Sequence, residues 1–290
     1  MNAAPRSRAV RPPSTRRRRR IGSAILWIVV ALVSLGWAVP ILSTLVTSFR
    51  TFEDVSANGV SGLPQSFTLE NFVTVWTTGR LSQYLLTSMV VTLPALAIIL
   101  VLSSMAAFVL AGRHVPFART LLVIFLAGNL LPPQMLIVPV FELSDGLGIY
   151  DSKVGLIAIN AAFQLGFAVF VLYNFMRTVP ADIFEAAEID GAGRWRQYTS
   201  IMLPVMRPAL AAVGTLQFTW IFNDYLWAVV LVRSDENLPV TAGLMSLRGE
   251  YVTAWPTISA GAVLAAIPVM IVFFLLQRQF VSGLMLGSVK

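Results

Sequence analysis

The side chains that most often carry out chemistry are scarce in this sequence. It contains no cysteine, and its single histidine, His114, stands alone in a short basic segment. No group of histidine, cysteine and carboxylate residues has the spacing of a metal site. No G-x-x-x-x-G-K-[ST] motif is present to hold the phosphates of a nucleotide. The sequence therefore predicts no catalytic residue, no metal site and no cofactor.

One acidic residue interrupts a long apolar run. Asp224 is the only acid in the run 208–232, and a carboxylate within a membrane normally faces the bundle interior or a water-filled cavity. Two interpretations remain open: Asp224 lines a pathway or gate, or it is a structural acid bonded to a neighbouring helix. Gln217 and Trp220 precede it on nearly the same helical face, although a tryptophan there is more often a packing residue. With Asn223 they form the candidate pathway residues.

Apolar helices must position these residues. The chain of 290 residues is 57% hydrophobic and 12% charged, about half the charged fraction of a typical soluble domain. Its charge-free runs can cross a bilayer core of about 30 Å, and they are too long and evenly apolar for barrel strands. A soluble enzyme, a disulfide scaffold and a disordered chain are excluded, and an all-α membrane protein is favoured. Within a transmembrane domain at 21–280, six spans are predicted at about 21–48, 83–111, 120–142, 154–176, 208–232 and 256–277.

The distribution of basic residues predicts the orientation. Sixteen of the 21 basic residues fall in the two termini and in the connections on their side of the membrane, against five on the other side. By the positive-inside rule, both termini are cytoplasmic. Eight arginines lie in the basic tail 1–20, which we expect to contact membrane lipid and no nucleic acid.

The cytoplasmic loop, residues 177–207, connects spans four and five and is predicted to be helical. Asp182 suits the first turn of a helix, and Gly191 stands where that helix would end in a left-handed cap. A second amphipathic segment, 194–203, is expected to stop at Pro204. A helix lying on the membrane surface is the alternative, but its acids would then face anionic lipid.

A spaced motif in the cytoplasmic loop resembles the EAA loop of binding-protein-dependent ABC importer permeases. Its positions are filled by Glu185, Ala186, Ala187, Gly191, Ile201, Leu203 and Pro204. Further segments resemble the smaller permease of maltose-type carbohydrate importers, namely 47–50, 68–72, 131–134, 223–227 and 277–290. Met285 and Leu286 depart from the family pattern in the last of these.

The resemblance implies a type I ABC importer transmembrane domain in the bacterial plasma membrane, with six helices and a cytoplasmic coupling helix. The motif residues would couple the chain to a cytoplasmic ATPase subunit dimer, which hydrolyses the ATP. A second permease subunit would share the translocation pathway, and an extracytoplasmic sugar-binding protein would deliver the substrate. The C-terminal tail, 281–290, would reach along the ATPase interface through Gly283, Gly287 and Lys290.

Two other classes of protein compete with this interpretation. An ion-coupled secondary transporter or channel of six helices needs ionisable residues in several spans and often an internal repeat. Only Asp224 qualifies as such a residue, and the two halves of the chain show no convincing repeat. A membrane enzyme would need a cluster of acid, base or nucleophile residues, which the sequence lacks.

Overall fold

The computed structural model of the chain describes the backbone of residues 14–112, 115–248 and 253–286. Regular structure in these ranges is helical, apart from one antiparallel bridge between Arg248 and Thr253. A 3-10 turn at Pro133–Leu136 leads into α6, and a π-helical turn at Gln197–Met202 joins α9 to α10. The helices are α1 Ser14–Ser48, α2 Phe52–Asn58, α3 Glu70–Trp76, α4 Leu81–Leu110, α5 Ala118–Leu130, α6 Ile137–Gly146, α7 Lys153–Met176, α8 Asp182–Ile189, α9 Arg194–Arg196, α10 Leu203–Val205, α11 Arg207–Phe222, α12 Leu226–Leu231, α13 Val240–Ser246 and α14 Trp255–Leu286.

Four helices in the described ranges are long and apolar enough to cross a membrane. They are α4, α7, the Ile25–Ser48 part of α1 and the Trp255–Arg278 part of α14. Even 24 residues of helix measure about 36 Å at about 1.5 Å per residue, which exceeds the bilayer core. Two bent helix pairs raise the number to as many as six. The helical membrane fold is confirmed, while the exact span boundaries remain predictions.

The first bent pair shows how proline breaks a span. α5 and the segment Pro133–Gly146 meet at 88° within the expected span 120–142. Leu131 is extended there, with ψ 128°, because a residue before proline avoids the helical region and proline has no N–H to donate. The helix is therefore broken at Pro132 and Pro133. α4 and α14, in contrast, continue as single helices through their internal prolines.

The predicted span 208–232 is not one continuous helix. α11 ends at Phe222 and α12 begins at Leu226, so a three-residue break separates them. The Asp224 carboxylate accepts a hydrogen bond from the backbone N–H of Trp227 at 3.3 Å. Short acidic side chains of this kind offer the backbone an alternative to helical bonding, and they favour helix ends.

The interior is built mainly from α4, α7, α11 and the π-helical turn. Their largest buried cluster includes Ile99, Leu172, Met202 and Val213. α1 lies outside this interior. It packs on α14, and none of its most apolar stretch of 18 residues is buried. Such a helix satisfies its own backbone hydrogen bonds, so its apolar side chains can face lipid or another subunit.

The outer loop, residues 51–80 on the side opposite the termini, is organised by a buried ion pair. Arg50 Nε lies 2.9 Å from Asp54 Oδ2, and the two side chains are 0% and 3% exposed. Arg50 also donates to the carbonyl oxygen of Gly59 at 3.0 Å. Asp54 accepts from the backbone N–H groups of Gln65 and Ser66. The Arg50 hydrogen bond and the Gln65 backbone N–H lower the pKa of Asp54 well below its usual range.

Two more carboxylates tie connections together on the outer side. Asp151 accepts from the backbone N–H groups of Arg233 and Ser234, both at 2.9 Å. Burial opposes ionisation of Asp151, but these hydrogen bonds outweigh it and lower its pKa. Asp235 accepts from the Tyr84 hydroxyl at 2.6 Å and pairs with Arg80. The Tyr84 hydrogen bond is the main reason that the pKa of Asp235 is also lowered.

Candidate functional site

The predicted helix of the cytoplasmic loop is present as α8. It carries acids in its first turn, where the positive end of the helix dipole favours them. Gly191 has φ 76°, and the N–H of the following Ala192 closes the helix end on the Ala187 carbonyl at 2.8 Å. The left-handed cap at Gly191 is therefore confirmed. No atom lies within 4 Å of the position that a Cβ would occupy there, so this end of the helix is open.

α8 has one side against the bundle and one side in solvent. Ala187 is buried, and the Phe184 ring lies 6.3 Å from Phe108 of α4. Glu185 and Ala186 of the motif are exposed. Sequence reasoning missed the exposed apolar residue Ile189, which is 87% exposed. The first part of the motif thus presents acidic and small residues outward on a helix that the bundle supports from behind.

The second segment of the loop differs from its prediction at Pro204. Helical structure continues through the π-helical turn and α10 to Val205, and the sharp bend of 73° follows before Arg207. Pro204 lies near the end of this helical run, one residue before its last residue Val205. The segment therefore ends two residues later than expected, and the bend follows Pro204 closely.

The deepest contacts of this segment are made by residues outside the motif. Tyr198, Met202 and Met206 are buried, and their four-residue spacing puts them on one helical face. The Tyr198 hydroxyl lies 2.8 Å from Ser104 Oγ of α4. Gln197 donates to the Ala192 carbonyl at 2.9 Å. The apolar period over 198–206 was the available signal for this anchor, and the sequence analysis did not use it.

A recess of about 280 Å³ lies between α8 and the ends of α4 and α7. Its walls combine the Phe184 ring with the charged side chains of Arg177, Glu185, Glu188 and Arg194. Glu188 and Arg194 approach to 3.6 Å and are 53% and 70% exposed. A pair this exposed contributes little to stability, about 0–1 kcal/mol. The charges of Glu188 and Arg194 are therefore available to a partner at small cost.

The four candidate pathway residues do not share one environment. Gln217 is fully buried and donates to the Gln164 carbonyl of α7 at 3.3 Å. Trp220 is 43% exposed, Asn223 is exposed and Asp224 is half-buried. The first residue therefore joins α11 to α7, while the other three reach the surface of this chain.

Asp224 makes the contact expected of a structural acid, and its role in a pathway or gate stays a prediction. Asn160 of α7 donates to its Oδ2 at 3.3 Å, which is the bond to a neighbouring helix that a structural acid would make. Its half-buried side chain nevertheless lies at the break after α11. Two aromatic pairs flank it: Phe163 with Trp227, with ring centroids 4.9 Å apart, and Phe167 with Trp220, at 5.0 Å. The sequence did not point to Phe163 and Phe167, because they lie on α7 and meet the two tryptophans only in the folded chain.

Sequence comparison places this architecture in a known group of proteins. Residues 76–285 match the family described as binding-protein-dependent transport system inner membrane component. The chain belongs to this family. It is a permease, a multi-pass protein of the bacterial inner membrane, and the alternatives of an ion-coupled transporter and a membrane enzyme are set aside.

Individual relatives agree with this assignment. The permease is 33% identical over 268 residues to the diacetylchitobiose uptake system permease protein NgcG of Streptomyces coelicolor, covering 92% of this chain and 86% of the relative. Among solved structures, it resembles a bacterial ABC transporter involved in the import of the acidic polysaccharide alginate, with a TM-score of 0.78, 22% identity and coverage of 91% and 98%. A second match, with a TM-score of 0.66 and 14% identity over 90% and 95% of the two chains, is a bacterial alginate ABC transporter in complex with an alginate pentasaccharide-bound periplasmic protein.

The family match includes the cytoplasmic loop and all four candidate pathway residues but ends before the last C-terminal residues. α14 runs as a helix to Leu286, so the expected tail 281–290 begins as its continuation. Gly283 lies in that helix. Gly287 and Lys290, the other expected tail contacts, fall outside the described residues.

Proposed function

We propose that this permease is a subunit of an ATP-driven sugar importer and shares its translocation pathway with a second permease. A separate cytoplasmic ATPase subunit dimer would drive it by binding the cytoplasmic loop. The observation that carries the proposal is α8, a short helix with exposed motif residues outside and aromatic support behind. The absence of any phosphate-binding motif in the sequence agrees with ATP hydrolysis by another chain.

The contacts behind α8 offer a way to transmit movement. A force on α8 would reach α4 through Phe184 and Phe108, and again through the hydrogen bond between Tyr198 and Ser104. Met202 and Met206 embed the same segment in the core that contains α7 and α11. Packed interiors of this kind switch between discrete arrangements and deform little. Closure of the ATPase dimer would therefore move these helices together.

A sugar is the substrate supported both by the relatives and by the polar and aromatic residues Trp220, Asn223 and Asp224. NgcG is named for diacetylchitobiose uptake, and the structural relatives are alginate transporters. Trp220 offers a ring face for the apolar side of a sugar, while Asn223 and Asp224 offer groups for its hydroxyls. An extracytoplasmic binding protein would deliver the substrate. The alginate transporter supports this proposal, because its structure contains a periplasmic protein with bound alginate pentasaccharide.

The C-terminal end belongs to the same proposal. Residues 281–290, with Gly283, Gly287 and Lys290, would reach along the ATPase interface. Deleting Ser282 to Lys290 should leave membrane insertion intact and lower both transport and coupled ATPase activity. Unchanged rates would remove the tail from the interface.

The decisive experiment reverses the charge of Glu185. Glu185→Lys should sharply reduce copurification of the ATPase subunit and abolish sugar uptake into vesicles, because a basic group of the ATPase would lose its acidic partner. Loss of a well-formed charged pair costs about 3–5 kcal/mol when buried and much less when wet. The matched control is Glu70→Lys, which reverses an exposed acid in the outer loop. Normal uptake and ATPase attachment in the Glu185 variant would refute the coupling role.

A further inference from the structure

A second recess opens beside the cytoplasmic loop, at the ends of three membrane helices. Its volume is about 470 Å³, and its walls come from the end of α4, the start of α5 and the end of α7. These helix ends lie on the side that the basic residues assign to the cytoplasm. The recess therefore lies at the depth where the headgroups of the inner leaflet meet the protein.

The chemistry of this recess is cationic and apolar. Arg119 and Arg177 both line it, and no acidic residue is among the described residues of its walls. The remaining walls include Leu110, Val115 and Phe117. The neighbouring recess under α8 shares Arg177 and differs by containing two glutamates, so Arg177 stands between the two recesses and Arg119 belongs to this one. Two guanidinium groups above an apolar wall match a molecule with an anionic head and a hydrocarbon tail.

Neither arginine is committed to an acid in the described part of the chain. Both side chains are exposed, and the ion pairs found there involve other residues. The Arg177 guanidinium lies 6.0 Å from the centre of the Tyr173 ring, and Tyr173 also lines the recess. This contact holds one cation at the wall and leaves its N–H groups free for an oxygen acceptor.

Phe117 adds an apolar anchor at the rim. It is 77% exposed and has φ 63°, a left-handed conformation that is unfavourable for a residue with a bulky side chain. Strained backbone of this kind tends to occur where a ligand or a switch uses it. Phe117 lines the recess together with Arg119, so its exposed ring can contact acyl chains.

We propose that the recess formed by α4, α5 and α7 binds one anionic phospholipid, with Arg119 and Arg177 holding its phosphate. Basic pockets between membrane helices on the cytoplasmic side are well suited to such headgroups. The simpler explanation is that both arginines only orient the chain, with Arg177 also complementing the negative end of α7. That explanation predicts no preference for a lipid type, so the two can be separated.

The test measures by native mass spectrometry how much lipid stays bound to the purified full-length chain while detergent washes remove loosely bound lipid. The probes are dioleoyl phosphatidylglycerol and dioleoyl phosphatidylcholine. The unmodified chain should retain the first in preference to the second. At about 1 kcal/mol for each arginine near the membrane surface, Arg119→Gln with Arg177→Gln should reduce this preference about 30-fold. Each single variant should reduce it about fivefold, which keeps the test usable if the double variant does not insert.

Arg207→Gln is the matched control, because it removes an exposed cytoplasmic arginine at the start of a helix outside the recess. It should keep the preference, as should replacement of both recess arginines by lysine. Equal losses in the control and the recess variants would show that the arginines act only through overall charge. Displacement of the lipid by inorganic phosphate would show that the site recognises a free anion, and it would overturn the assignment. The readout uses no transport, so it is independent of the proposed function.

Discussion

Arg50 and Asp54 at the start of the outer loop are almost completely buried, whereas Glu188 and Arg194 of the cytoplasmic loop are at least half exposed. The first pair is also bonded to the backbone of its own connection, so its charges are satisfied within the chain. The second pair lies 3.6 Å apart on an open surface. One region is thus complete by itself, and the other retains charges that a partner can use. Changes in the outer loop should affect stability, and changes in the cytoplasmic loop should affect coupling.

After charge reversal at Glu185, the largest functional effect is expected at Gly191, with Gly148 as its matched control. Both glycines have a left-handed φ, 76° and 68°, and both have open space around the position of a Cβ. Leucine at either position pays a similar backbone penalty, on the order of 1 kcal/mol. Only Gly191→Leu places a side chain at the end of α8, so it should reduce sugar uptake by roughly tenfold or more, equivalent to about 1.4 kcal/mol. Equal uptake in the two variants would contradict a docking role for this helix end.

The largest loss of stability is expected at Asp54. Asp54→Asn keeps the shape of the side chain but leaves the buried Arg50 guanidinium without its counter-charge. The thermal midpoint of the purified permease should fall by about 5–15 °C. Glu188→Gln removes an acid from the exposed pair and should shift the midpoint by no more than about 2 °C. Similar shifts in both variants would remove the contrast between the two loops.

A smaller effect is expected at Tyr198, where stability and coupling meet. Tyr198→Phe removes the hydroxyl that contacts Ser104, and Ser104 keeps a hydrogen bond to the Val101 carbonyl. The free energy of unfolding should fall by about 1 kcal/mol. ATPase activity per sugar transported should rise, because the cytoplasmic loop is held less firmly to α4. Tyr150→Phe, on the outer side, is the control, and a matching change there would point to a general packing effect.

The smallest effect concerns acid stability on the outer side. Asp54, Asp151 and Asp235 all have a lowered pKa in the folded protein, relative to an ordinary value of 3.8. The unfolded chain therefore binds more protons in this range, so their stabilisation is complete above about pH 4 and is lost as the pH falls further. The thermal midpoint should decline from about pH 4 downwards. Asp54→Asn should flatten that decline, and an unchanged slope would show that Asp54 has no part in it.

The sequence predicted features that depend on neighbouring residues along the chain. The apolar runs and the α8 helix with its left-handed cap at Gly191 all have local signals, and the structure contains them. The break at Asn223–Tyr225 was missed, since a long apolar run hides the helix-ending effect of Asp224. The end of the segment at Pro204 was predicted to within two residues, because the helix stops at Val205.

Features that depend on distant parts of the chain were not predictable. The outer pair needs Gln65 and Ser66, which approach Asp54 only after the loop has folded back. The anchor of the cytoplasmic loop needs Ser104, which is 94 residues away from Tyr198. The candidate pathway residues differ in burial because of α7, where the Gln164 carbonyl accepts a hydrogen bond from Gln217. In each case the missing information was which helix lies opposite.

The π-helical turn at Gln197–Met202 determines which side of the helix after it faces the core. A π-helical turn closes hydrogen bonds one residue further along the chain than an α-helical turn. A deletion of one residue there can be absorbed, because the turn can close to an α-helical one. Inserting one residue instead would rotate the following helix by about 100° around its axis, since 3.6 residues complete a turn. Met206 would then leave the core, while Glu185 and Gly191 kept their places. The nine residues between Gly191 and Ile201 therefore set an angle as well as a length, and an insertion should be tolerated less well than a substitution or a deletion.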